Sequence, residues 1–119
     1  MITPLEPHQI FVFGSNSDGI HAGGAARQAL EWGAVIGIGH GLMGQTYAID
    51  TMSGLHAIYL QALQFKQVAE LLPDKEFLLT PVGTGIAGYT EGRIAPFFES
   101  LPSNVTKVGW SKQKMSNGK

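Results

Sequence analysis

Asn16, Asp18 and His21 fall within six residues of one another, directly after the apolar run Gln9-Ile10-Phe11-Val12-Phe13-Gly14. The carboxamide of Asn16 carries a donor and an acceptor and could read a sugar hydroxyl or orient a water; the same residue type also closes Asx-turns and caps helices. Asp18 and His21 bring a carboxylate and an imidazole close enough for acid–base work, whereas Asp18-Gly19 is equally a turn sequence. Gly83-Thr84-Gly85-Ile86-Ala87-Gly88-Tyr89 is the second feature. Alternating glycines let main-chain N–H groups approach a ligand, so this loop could wrap a phosphate. Thr84 would add a hydroxyl and Tyr89 a ring for stacking on a sugar or base; the plainer reading is a tight loop that needs positive φ. Asp50 ends a strand-like run and could bind a ribose or a base edge, or cap the segment that follows.

Several chemistries are absent. There is no Gly-Lys-Ser/Thr of a P-loop, no dinucleotide fingerprint with its downstream acidic partner, and no Gly-x-Ser-x-Gly elbow. His21, His40 and His56 have no recognised metal spacing, and the chain has no cysteine. No cofactor or metal is expected.

Charge narrows the choice further. The net charge is −1, and no Lys or Arg precedes Arg27. From Trp32 to Phe65 the one formal charge is Asp50. A nucleic-acid partner would need a basic face, so none is expected; an anion in these loops would be held by backbone dipoles. Fourteen of the 16 glycines lie between residues 14 and 54 or between 83 and 92, which argues for use rather than filler.

The elements that must position these residues follow from pattern. Gln9 to Phe13 reads as a buried strand. Residues 23–32 read as a small-residue helix stopped by Gly33, and 34–44 as a loop or weak strand. Gln45 to Thr51 reads as a second strand. Leu55 to Leu72 is the clearest helix, with Leu55, Ile58, Ala62, Phe65, Ala69 and Leu72 on one face. Glu76 to Val82 is a strand shortened by Pro81. Thr90 caps a helix over Glu91 to Leu101, and Asn104 to Trp110 is the last strand. Alternating strands and helices predict an α/β domain over residues 1–110 with a mostly parallel central sheet, followed by a polar tail at 111–119. In such sheets ligands sit beyond the C-terminal strand ends, which is where both glycine loops fall. The absence of a membrane-length apolar run and of a signal-peptide pattern predicts a cytoplasmic protein with no membrane partner. Sheet edges and the charge-poor stretch from Trp32 to Phe65 are surface of the kind that a homodimer covers.

Three stretches together resemble the macrodomain superfamily of ADP-ribose-binding modules, in particular a small bacterial and phage macrodomain-like branch. They are Val12-Phe13-Gly14-Ser15-Asn16, His21-Ala22-Gly23-Gly24-Ala25-Ala26, and Pro81-Val82-Gly83-Thr84-Gly85-Ile86-Ala87-Gly88-Tyr89. The resemblance implies a three-layer α/β/α sandwich holding ADP-ribose, or a related nucleotide-phosphate sugar, across the strand ends. It implies a pyrophosphate in the 83–89 loop, and a distal ribose near Gly14, Ser15, Asn16, Gly23 and Gly24. Deglycosylase-type members carry a Lys in the first loop and an Asp in the phosphate loop. Gly23 and Ala87 occupy those positions here, so hydrolysis by that route is not expected. A hydrolase acting on ADP-ribosyl or nucleotide-sugar phosphoesters would instead need Asn16, Asp18 or His21 to position a water. A third reading is an interaction or structural protein on a vestigial nucleotide fold.

Overall fold

The structure, a computed structural model, describes residues 4–20 and 24–111. A five-stranded sheet has the order β2-β3-β1-β4-β5, with β1 at Gln9–Ser15, β2 at Gly41–Met43, β3 at Thr46–Asp50, β4 at Glu76–Leu79 and β5 at Val105–Lys107. β1 runs parallel to β3 and β4, β4 parallel to β5, and only the edge strand β2 is antiparallel. The helices are α1 (Gly24–Ala29, extended by a 3₁₀ turn over Leu30–Trp32), α2 (Leu55–Leu71) and α3 (Glu91–Ile94, followed by a 3₁₀ turn over Ala95–Phe98).

β1 is central and almost wholly buried, because its alternate residues feed two apolar clusters. Ile10 and Val12 join Tyr47, Ile49, Phe77 and Leu79 beneath Ile58, Ala62, Phe65 and Ala69 of α2, together with Ile94, Phe98 and Trp110. Phe65 is the hub, with ring centroids 5.3 Å from Tyr47, 5.6 Å from Phe77 and 6.2 Å from Phe98. Burial raises the Tyr47 phenol above its ordinary pKa, so it stays neutral. Phe11 and Phe13 point the other way, to Ala29, Ala34, Met43 and Ala48, with Trp32 set edge-on to Phe11 at 4.9 Å.

The observed ends differ from the expected ones for local reasons. α2 stops at Leu71, where Asn104 Nδ2 donates to the carbonyls of Ala69, Leu72 and Lys75 at 2.9, 3.1 and 3.0 Å. That amide supplies donors to helix-end carbonyls that otherwise lack them. β4 ends at Leu79, before Pro81, and Thr80 Oγ1 turns back to the Val12 carbonyl at 2.7 Å. The helix expected to reach Leu101 ends at Ile94, because Pro96 has no N–H and its ring obstructs an α-helical interior. Within 34–44, the weak strand is real but short, and forms the sheet's antiparallel edge. β5 covers three residues of the seven expected, and beyond it the indole of Trp110 donates to the Leu79 carbonyl at 2.8 Å. Among the described residues, no helix is long and apolar enough to cross a membrane.

Candidate functional site

Parallel pairing places the ends of β1, β3 and β4 at one edge: Ser15 lies opposite Asp50, and Val12 opposite Leu79. The segments that leave these ends converge on Gly14. A Cβ built there would stand 3.3 Å from Thr51 Oγ1 and 3.5 Å from the Gly83 amide nitrogen. Gly14 thus lets the first glycine-rich segment touch the second. Thr51 fixes the junction, donating from its amide (3.0 Å) and its hydroxyl (3.2 Å) to the Ser15 carbonyl.

Beyond Ser15 the chain closes on itself through Asn16. Its carbonyl accepts from Gly19 N at 3.0 Å. Its side chain accepts from Ile20 N at 3.0 Å and donates to the Ile20 carbonyl at 3.1 Å. The carboxamide is therefore committed to the 16–20 turn, in which Asp18 is exposed. A second segment locks this turn from the side: Gly37 N donates to the Gly19 carbonyl at 2.9 Å, and a Cβ at Gly39 would fall 1.7 Å from the Asn16 carbonyl oxygen. His21 and Gly23 lie outside the described residues, as do residues 112–119 of the expected tail. Gly24 opens α1 on the exposed surface.

Asp50 is half-buried at the end of β3. One carboxylate oxygen accepts from Met52 N at 2.9 Å, and the other from Ser53 Oγ at 2.5 Å. Its backbone is held in both senses by Gln61, whose Oε1 accepts from Asp50 N and whose Nε2 donates to the Asp50 carbonyl, each at 2.8 Å. Asp50 therefore organises the turn into α2.

The 83–89 loop is braced at both ends. Thr84 Oγ1 donates to the Pro81 carbonyl at 2.7 Å and Tyr89 N to the Gly83 carbonyl at 3.0 Å. Gly88 N closes a turn onto Gly85 O at 2.9 Å. Gly83 has φ +84°, and a Cβ there would stand 3.1 Å from Ile94 Cδ1. Tyr89 packs its half-buried ring against the α2-side cluster. Between the braces, the amides of Gly83, Gly85, Ile86 and Ala87 meet no acceptor among the described residues. Gly83 is buried against Gly14 and Ile94; the three successive donors of Gly85, Ile86 and Ala87 lie on the outer part of the loop, where backbone N–H groups can meet an anion. Ile86 at the tip is 92% exposed.

Among the described residues the loops present backbone donors, and Asp18 stands as an exposed carboxylate at the Asn16 turn. Among the described residues, no three His, Asp or Glu side chains gather as metal ligands do. The sequence reading did not single out Thr51, Gly39 or Gln61, which hold the site together through backbone contacts that leave no motif. Compared with known proteins, the chain matches no family model, no curated protein and no solved structure.

Proposed function

We propose that this chain is a macrodomain-like module that binds ADP-ribose or a related nucleotide-phosphate sugar, with α1 on one side of its sheet and α2 and α3 on the other as a three-layer α/β/α sandwich. The observation that carries the reading is the run of amides at Gly85, Ile86 and Ala87 that meet no acceptor among the described residues, in a loop joined to the strand ends where Gly83 packs on Gly14. The pyrophosphate lies on these amides, and the distal ribose lies near Gly14, Ser15 and Asn16. The lack of Lys and Arg from Trp32 to Phe65 fits a ligand held by neutral N–H donors. Binding without fast turnover is the favoured form, because the Asn16 carboxamide is already engaged in its own turn; turnover would fall to Asp18, which is exposed, or to His21, which lies outside the described residues.

The test uses Ile86→Pro. Ile86 is the first central residue of the Gly85–Gly88 turn, a position proline favours, and the substitution deletes one donor. A hydrogen bond to a charged group is worth about 1.5–3 kcal/mol, so ADP-ribose affinity measured by calorimetry should fall roughly 10- to 100-fold while the melting temperature holds. AMP, ribose 5-phosphate and inorganic phosphate serve as comparison ligands. Failure of the wild-type protein to bind ADP-ribose at millimolar concentration would overturn the reading.

A further inference from the structure

Helix α2 is apolar on two opposite sides. Ile58, Ala62, Phe65 and Ala69 are buried against the sheet. On the outward side stand Leu60 (48% exposed), Leu63 (41%) and Leu71 (77%), with Tyr59 (46%) on the flank. Leu60, Leu63, Gln67 and Leu71 repeat at the three- and four-residue spacing of a single helix stripe. Tyr59 is held by the Phe97 ring, 6.1 Å away, which broadens the platform. From Leu55 to Phe65 the helix has no formal charge. Single exposed leucines are ordinary, but three on the outward side of one helix, set beside the exposed Gln64 and Gln67, form a patch of the kind that another surface covers.

We propose that this stripe is the interface of a homodimer, in which α2 packs antiparallel against the partner's α2 across a two-fold axis at Leu63. A two-fold interface requires one patch to complement itself, and the polar residues of α2 meet that condition. With a rise of about 1.5 Å per residue, His56 lies about 10 Å to one side of Leu63 and Glu70 about 10 Å to the other. Reversing one helix sets each His56 opposite the partner's Glu70, so the imidazole and carboxylate pair twice around a centre where Leu63 meets Leu63 and each Leu60 meets the aliphatic stem of the partner's Lys66. A parallel arrangement would oppose Glu70 to the partner's Glu70. The shallow helix crossing of about 20° keeps these ends in reach, whereas the steeper class splays them. Lys66 sits half-buried to the side of the stripe. This surface is separate from the strand-end loops, and the inference does not depend on their ligand.

Sedimentation equilibrium on the full chain, from about 1 μM to about 1 mM, tests it. The mass should double from 12.7 kDa as concentration rises. Leu63→Glu should weaken association at least tenfold with the circular dichroism spectrum unchanged. His56→Glu should also weaken it, by opposing like charges, and adding Glu70→Lys to that variant should restore it. A protein at monomer mass throughout the range overturns the proposal. So does a dimer indifferent to Leu63→Glu and to the charge exchange, which would place the contact elsewhere.

Discussion

Gly39→Ala is the sharpest probe of how the Asn16 turn is held. The new methyl would stand 1.7 Å from the Asn16 carbonyl oxygen and 2.8 Å from its carbon. Both are backbone atoms, so no rotamer change relieves the clash. To reach an ordinary contact of 3.4 Å, one segment must withdraw by about 1.7 Å. Gly39 is not among the residues with positive φ, so the cost is steric and not conformational. A withdrawal of that size breaks the 2.9 Å bond from Gly37 N to Gly19 O and strains the 3.0 Å bond from Gly19 N to Asn16 O. Two hydrogen bonds at about 1 kcal/mol each, with an overpacking cost of about 1–3 kcal/mol, give a loss of about 3–5 kcal/mol. At about 4 °C per kcal/mol for a domain of this size, the melting temperature followed by circular dichroism should drop by about 12–20 °C. Gly37→Ala is the comparison: its Cβ meets nothing within 4 Å, and only the φ of +101° is strained, at about 1–2 kcal/mol. If Gly39→Ala melts no lower than Gly37→Ala, the backbone-to-backbone packing argued here is wrong.

Two further outcomes are expected. Asn104→Asp exchanges the amide that serves three carbonyls for an acceptor aimed at acceptors. Chemical denaturation at pH 7 should show a loss of at least about 2 kcal/mol, exceeding that of Asn104→Ala; equal losses would mean the three contacts carry no weight. Glu76 is held below its usual pKa by hydrogen bonds from Gln9 and then Thr106, which outweigh the opposing effect of burial, with a lesser attraction from His8. A carboxylate depressed in the folded state contributes stability above its unfolded pKa of about 4.3 and loses it as pH falls through the folded value. The melting advantage of wild type over Glu76→Gln should therefore be present at neutral pH and be lost as the pH falls below the ordinary carboxylate range; an advantage that does not change with pH contradicts the assignment.

Much of the fold was legible in the residues, because the strongest signals are those of burial. Helix α2 announces itself through Ile58, Ala62, Phe65 and Ala69, and β1 through an unbroken apolar run that only a strand covered on both sides tolerates. Thr90 was readable as a cap, and its hydroxyl does accept from Arg93 N. What resisted reading were contacts made across sequence. Asn104 ends α2 from 32 residues beyond Leu72, and no local pattern signals this. The shortness of α3 is written in Pro96, whereas the favourable start at Thr90 and Glu91, taken alone, predicts a longer helix. At the candidate site, the clustering of glycines marked where the loops meet. The sequence left open two uses each for Asn16 and Asp50, and the geometry shows both side chains engaged within their own turns. Close approaches such as Gly39 to Asn16 depend on where the backbone of residues 34–41 travels, and this irregular segment has no periodicity to reveal it.

The segment that braces the Asn16 turn does so with main-chain atoms alone. Gly37 and Gly39 make the contacts, while Val35, Ile36 and Ile38 turn their side chains outward. Scaffold and surface are thereby separated along one short stretch of chain. The glycines fix the path of the chain beside the Asn16 turn, and the exposed side chains of Ile36 and Ile38 can change without disturbing it. Such a segment can be recoloured by substitution from apolar to polar or charged while its backbone stays in place. It gives the chain a ready route to new selectivity in what approaches its loops, with no refolding required along the way.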